Sequence, residues 1–396
     1  MQNNRAGWAQ IDITPPLGLP MGGRGSRFTP GAAVLDPLLA QALVLEDETG
    51  RRMLWVSMDM IGMSYHATAE FRYELMAATG IPFDAIVINA SHTHSGPMTG
   101  FEGYATLQPK PEQMQVYETG LIAKTVRMAH EAIARLAPAK VSVHRGLSDI
   151  GINRRRRDPA GQMGMGPDPA GFYNRDLWLL DVVAGDARSI IFSYGCHPVL
   201  VYGYAYDSIS ADWPGVCRNR LQEALGRNVQ AQFIQGLAGN VRPRQVADLD
   251  QGIFRKPTTA QDHMAAGAQL ADDVLSALGT GGEALDLELA AVAGFALAPR
   301  DLDKAPPLEH WQELAASGDE LNRNVGAYWV ERIVSGLPPM PVVPWSIGLM
   351  RLAKGHQIAW MSGEPLAEWL RNLREWLDDD GLVAWGYCQD GRCYMP

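Results

Sequence analysis

No stretch of this chain approaches the ~18 uninterrupted apolar residues of a bilayer-spanning helix, so no integral membrane segment is expected. Cysteine is scarce, with four in 396 residues (Cys196, Cys217, Cys388 and Cys393). That is too few for a disulfide scaffold, and none has zinc-knuckle spacing. A local Cys388–Cys393 bridge is disfavoured, and the thiols read as reduced. The opening residues Met1-Gln2-Asn3-Asn4-Arg5 lead into polar, strand-like sequence with no apolar signal core, so the expected location is cytoplasmic. Basic charge is in deficit too: the formal net charge is -10, which argues against a nucleic-acid or anionic-membrane surface. What is present is the mix of an ordinary globular protein with a sizeable core, 46% hydrophobic and 20% charged. Its expected partner is a small-molecule substrate, with a homo-oligomer left open.

Apolar runs bounded by turn residues predict strands at 39–45, 53–60, 85–89, 140–144, 177–183, 189–194, 231–235, 346–352 and 357–361. Helical spacing falls at 65–78, 113–136, 260–278, 308–332 and 366–377, with another helix after Asp212 and Pro214 in its first turn. The stretch 285–297 alternates apolar residues, and 338–344 reads as a Pro-rich connector. Adjacent strand pairs mingle with strand–helix alternation, and neither an internal repeat nor a linker is visible. The expectation is one α/β domain over 1–396, with mixed β-sheets flanked by helices. The run Arg154-Arg155-Arg156-Arg157 reads as a solvated loop or, against the acidic background, an anion site. Gly22-Gly23-Arg24-Gly25 follows no strand, opens no helix and lacks a Gly-Lys-Ser/Thr ending, so it reads as a loop near the mouth of a site rather than a phosphate loop. The eleven tryptophans are scattered, as core and rim packing would have them.

One arrangement recurs. A strand ends in small residues, and a potential ligand follows at once. Ile86-Val87-Ile88-Asn89-Ala90 leads to His92 and His94, then breaks at Gly96-Pro97. Ile191-Phe192-Ser193-Tyr194-Gly195-Cys196 leads to His197, Ala359-Trp360-Met361-Ser362-Gly363 to Glu364, and Phe233-Ile234-Gln235-Gly236-Leu237-Ala238-Gly239 to Asn240 and Arg242. Open α/β sheets bind ligands just beyond strand carboxyl ends. Two histidines at i and i+2 in extended chain point to one side. Two or three histidines with one glutamate and an open position make a catalytic zinc site, in which zinc acidifies water and polarises a carbonyl. Each piece has a bland alternative: hydrogen-bonded histidines at a turn, a packed His197 before Pro198, or a Glu364 that stabilises a helix start.

Together these segments resemble the neutral/alkaline ceramidase family, in its catalytic amino-terminal domain. The similar stretches are 6–16 (Ala6-Gly7-Trp8 through Thr14-Pro15-Pro16), 36–43, His92-Thr93-His94-Ser95-Gly96-Pro97, Gly151-Ile152-Asn153-Arg154-Arg155, Ser210-Ala211-Asp212-Trp213-Pro214-Gly215, 235–243 and Ser362-Gly363-Glu364-Pro365. The resemblance implies zinc held by His92, His197, Glu364 and Tyr394, with His94 facing the substrate carbonyl or its oxyanion and Arg154 contacting substrate. It also implies cleavage of an amide by metal-activated water. The chain departs from the family at Gly239-Asn240-Val241-Arg242-Pro243-Arg244, which stands where ceramidases carry a Gly-Asp-Val-Ser-Pro-Asn-like motif. That excludes a serine-based step and puts a cation in the substrate's path. The family's carboxy-terminal β-sandwich is also absent from these 396 residues. With Arg154, Arg242 and Asn240 as substrate-binding residues, the expected substrate is small and polar or anionic rather than ceramide, since guanidinium binds carboxylate bidentately. The expectation is therefore a zinc-dependent, ceramidase-like amidohydrolase. The alternatives are a zinc esterase or lactonase, a carboxylate-adjacent eliminase, or a non-catalytic metal-binding homologue.

Overall fold

Strands that are apolar at most positions, with both faces buried, need cover on both sides. β2 (Leu39–Glu46) and β3 (Arg52–Met58) are of this kind, buried at nearly every residue. With β1 (Arg5–Asp12), β4 (Ile86–Ala90) and the short strand Ala137–Pro138 they form a five-stranded sheet ordered β4-β3-β2-β1-(137–138). The second five-stranded sheet runs β8-β7-β6-β5-(283–284), from β5 (Lys140–Leu147), β6 (Asp176–Ala184), β7 (Ala187–Tyr194) and β8 (Val229–Gln235). Both sheets are mixed: β3/β4 and β7/β8 pair parallel, the other long neighbours antiparallel. The computed structural model describes residues 4–23, 29–97, 112–226, 228–299, 301–337, 341–391 and 393–395.

Successive residues of the second sheet feed different cores, as a period of two dictates. Leu180, Val182, Ile191 and Ile234 join the core shared with the first sheet. Leu179, Ile190, Phe192 and Phe233 join a second core with α3 (Asp212–Leu225) and α4 (Gln261–Gly279). The first sheet's other face is covered by α1 (Tyr65–Thr79) and α2 (Glu112–Ala134), through Phe71, Leu75, Met128 and Ala132. The layers are thus helix, sheet, sheet, helix. Buried glutamines stitch the sheets together: Gln41 Nε2 donates to Ala231 O at 2.8 Å and Gln232 Nε2 to Gln41 O at 3.3 Å. A third sheet, β9 (Ala290–Pro299), β10 (Val342–Ala353), β11 (His356–Met361) and β12 (Val383–Trp385), delivers the chain to Glu364. Trp55, Trp213, Trp360 and Trp385 are fully buried, so these tryptophans are core packing.

Several boundaries depart from the sequence reading. The four arginines lie in a strand, Gly151–Arg157, paired with Met163–Asp168 and Val241–Pro243, not in a loop. Arg154 is buried there, because the strand is covered from Gly151 to Arg154, while the following arginines emerge toward solvent. Pro344 lies inside β10 opposite Leu297, where an extended backbone suits its fixed φ; residues 338–340 fall outside the described set. The helical stretch 308–332 breaks into Leu308–Ala315 and Glu320–Val334, and the last helix is only Trp369–Leu377. The strand within 285–297 begins at Ala290. α3 starts on Asp212 itself, whose φ is +58° and whose Oδ2 accepts the N–H groups of Leu200 and Val201 at 2.8 Å. No disulfide joins any of the four cysteines. Among the described residues, no helix is long and apolar enough to cross a membrane.

Candidate metal centre

β4, β7, β8 and β11 all end at one place. At the first of these ends the chain does not continue extended, as i, i+2 alternation required. The strand stops at Ala90 and His92 adopts a left-handed φ of +65°. Such a conformation costs a non-glycine residue about 1 kcal/mol or more, so the surroundings must impose it. They do: Ser91 N–H donates to Met58 O and His92 N–H to Met60 O, both at 2.9 Å, while Thr93 Oγ1 donates to Ser210 O at 2.8 Å. The turn, rather than the pleat, brings the His92 and His94 rings together, edge to face with centroids 4.9 Å apart. His197 joins from the end of β7, its centroid 4.9 Å from that of His92.

Each of these rings is held in the same tautomer. His92 Nδ1 lies 2.6 Å from Ile61 O, His94 Nδ1 2.6 Å from Gly23 O, and His197 Nδ1 2.8 Å from Ala238 O. A carbonyl only accepts, so each Nδ1 carries the proton and each Nε2 keeps its lone pair. One ring nitrogen from each of the three lies within 4.8 Å of the others. The close approach at His94 requires glycine. Gly23 has φ +73°, and a Cβ there would fall 2.7 Å from His94 Nδ1. Arg24 and Gly25 of that Gly-rich run lie outside the described residues.

Glu364 completes the cluster, with Oε2 3.2 Å from His197 Nε2 and 3.5 Å from His92 Nε2. Gly239 lets its backbone in, since a Cβ there would sit 2.5 Å from Glu364 O. Burial pushes the Glu364 carboxyl up, but His92 and His197 outweigh it and hold the group well below its ordinary range. Burial, then Arg154, bring His197 down to about 3, and burial with the two neighbouring imidazoles holds His94 well below its usual value. The Glu364 carboxylate thus faces the Nε2 atoms of His92 and His197, whose Nδ1 atoms are turned away to backbone carbonyls. His92 Nε2 is buried and has no hydrogen-bond partner. A divalent cation satisfies this set, and imidazole nitrogens with one carboxylate are donors that suit zinc.

The remaining expected residues lie around this cluster. Tyr394 pairs directly with Glu364 through the short parallel strands Tyr394–Met395 and Glu364–Pro365. Burial, then Glu364, push that phenol up to about 12. Arg154 Nη2 reaches Tyr394 Oη at 2.9 Å, His197 Nε2 at 3.2 Å and Gly239 O at 2.8 Å. Arg242 stands further out, with Nη2 2.8 Å from Tyr202 Oη, and the Tyr202 ring lies 6.0 Å from that of His94. Asn240 has its side chain committed elsewhere: Oδ1 accepts the Ala367 N–H and Nδ2 donates to Glu368 Oε2, both at 2.8 Å. Its backbone carbonyl takes the Arg154 N–H at 2.7 Å.

Tyr202 and Tyr387 were not anticipated. Tyr387, at φ +55°, lays its ring 4.4 Å from that of His92, and its buried hydroxyl has no hydrogen-bond partner. Neither sits in the strand-end pattern that marked the other residues. No family model matches the sequence. Among solved structures, the chain is similar to the neutral ceramidase from Pseudomonas aeruginosa, at 19% identity and a TM-score of 0.73, over 100% of this chain and 69% of that one. It is also similar to a ceramidase complexed with C2, at 17% identity and a TM-score of 0.70, over 100% of this chain and 70% of that one. From end to end, the chain has the neutral ceramidase fold.

Proposed function

We propose that residues 1–396 form a zinc-dependent hydrolase that cleaves an amide bond in a small polar or anionic substrate. One observation carries the reading: three imidazoles, each tied by Nδ1 to a backbone carbonyl, bring one ring nitrogen each within 4.8 Å of the others, and two of them, His92 and His197, face the Glu364 carboxylate. Its ligands are His92, His197, Glu364 and Tyr394. Zinc supplies water acidity and carbonyl polarisation when bound. His94, kept neutral at physiological pH, takes the proton of the attacking water at Nε2 and passes it to the leaving amine. Arg154 sets a fixed positive charge beside His197 and Tyr394, where negative charge gathers on the acyl oxygen. Asn240 serves the substrate side by holding Arg154 through its carbonyl.

Arg242 argues for an anionic substrate. No carboxylate pairs with it among the described residues, and its buried Nε has no hydrogen-bond partner. A substrate carboxylate held by Arg242 and the Tyr202 hydroxyl would lie on the His94 side of the cluster. Two measurements test the reading. Chelation should abolish hydrolysis of N-acyl substrates and zinc should restore it; turnover of esters or lactones alone would move the assignment to that class. Arg242→Ala should raise KM for a carboxylate-bearing substrate about tenfold to hundredfold, the worth of a charge-assisted hydrogen bond, and spare its neutral analogue. Equal losses on both would sink the anionic assignment.

A further inference from the structure

The ligands sit on three loops from strands of different sheets, and a cation needs their spacing held within a fraction of an ångström. One side chain touches two of those loops at once. Gln235 closes β8 and is fully buried. Its Nε2 donates to Ser91 O at 3.0 Å and to Cys196 O at 2.9 Å, while Oε1 accepts the Cys196 N–H at 3.2 Å. Ser91 immediately precedes His92, and Cys196 immediately precedes His197. Asn89 extends the bracket to the third loop. Its Oδ1 accepts the Gln235 N–H at 2.9 Å, and its Nδ2 donates to Gly386 O at 2.8 Å. The next residue, Tyr387, donates its N–H to the carbonyl of Gly363, which precedes Glu364, at 3.1 Å.

We propose that Gln235, braced by Asn89, is a positioning residue that sets the distance between the His92, His197 and Glu364 loops and so tunes the affinity of the metal centre. The proposal rests on the metal reading above. Only a primary amide serves here, because the position needs one acceptor and two donors. A carboxylate of the same size would face two carbonyls, and an alkyl group would leave three backbone groups unmet. Gln232 provides the comparison. It lies on the same strand, is equally buried, and among the described residues its side chain bonds only to Gln41 across the sheets.

The test pairs Gln235→Glu with Gln232→Glu. Zinc affinity of the folded proteins is measured by competition with a chromogenic chelator, ligand geometry by the absorption spectrum of the cobalt-loaded forms, and fold integrity by melting of the metal-free forms. Gln235→Glu should weaken zinc binding about 10- to 100-fold, as loss of a group that orients metal ligands does, and alter the cobalt spectrum. Gln232→Glu should lower the metal-free melting temperature yet leave zinc affinity within about twofold, since it lies apart from the ligand loops. Should Gln235→Glu not accumulate folded, Gln235→Asn keeps the amide at shorter reach and should show a smaller loss in the same direction. Wild-type affinity and spectrum in the Gln235 variant, or an equal loss in the Gln232 variant, overturns the positioning role alone. A wild-type protein that binds no zinc overturns the metal reading itself and this proposal with it.

Discussion

Replacing Arg218 with methionine would show how dry the base of the histidine loop is. Arg218 lies on α3, and its Nη1 and Nη2 meet the two Asp59 oxygens at 2.9 and 2.6 Å, with side-chain exposures of 5% and 2%. Among the described residues, Asp59 has one other donor, the Leu39 N–H at 2.9 Å. A second buried carboxyl, Asp36, is close by. Burial raises its pKa, hydrogen bonds from Ser210 and Ala211 lower it, and Asp59 and Arg218 then act in opposite directions. Without the guanidinium, two carboxylates share a buried site with no counter-charge. Breaking such a pair on one side costs about 3–5 kcal/mol, which is about 1–1.7 M of urea at a denaturant slope near 3 kcal/mol per M. The cost depends on pH in a definite direction. Burial already holds the Asp36 carboxyl above its ordinary value, and loss of Arg218 removes a charge that lowers it, so acid relieves the strain, and the deficit should be larger at pH 8 than at pH 5. Urea titration of chelator-treated protein, followed by tryptophan fluorescence at both pH values, gives the measurement. The double variant Asp59→Leu/Arg218→Met should regain most of the loss, since an apolar pair can replace a buried ionic one. A deficit under about 1 kcal/mol, or one equal at both pH values, would mean that water reaches the pair and would refute the reasoning.

Further outcomes follow from the same geometry. Because Ser210 donates its N–H to Ser95 O at 2.9 Å and accepts from Thr93, Ser210→Ala, which cuts the Asp36 contact, should weaken zinc binding as well as stability; affinity unchanged at lowered stability would separate the two. Zinc should raise the melting temperature, contributing about 2.7 kcal/mol at a hundredfold excess over its Kd, and a chelator should reverse this. A melt indifferent to both would remove the metal from the centre. The metal-free protein should lose stability on acidification. The unfolded chain protonates His197 below its ordinary 6.5 while the folded chain resists to about 3, so the stabilisation is complete above pH ~6.5 and lost across that window, with a slope approaching 1.36 kcal/mol per pH unit. His197→Gln should flatten the slope, as a pH titration of the urea midpoint would reveal.

Strand ends, small residues and the ligand types that follow them are local features, and they were readable without a structure. Apolar runs giving way to small residues after Asn89, at Gly195 and at Gly363 marked where β4, β7 and β11 would stop, and the mixed α/β class followed from the same runs. Local pattern misled where the partner was remote. Four consecutive arginines form a strand because Met163–Asp168 and Val241–Pro243 pair with it on either side, and charge alone does not reveal that pairing. His92 and His94 converge through a left-handed turn imposed by backbone bonds to β3 and its following residues, not through strand alternation. Asn89 and Gln235, separated by 146 positions, read as unremarkable amides at the ends of apolar strands. The sequence by itself determined where each strand ends and which donor atoms stand just past it, because hydrophobic period and glycine breaks act over a few residues. Only the tertiary structure decided that those ends meet, which tautomer each imidazole keeps and which arginine turns inward, because those depend on carbonyls and carboxylates that long-range packing delivers from distant parts of the chain.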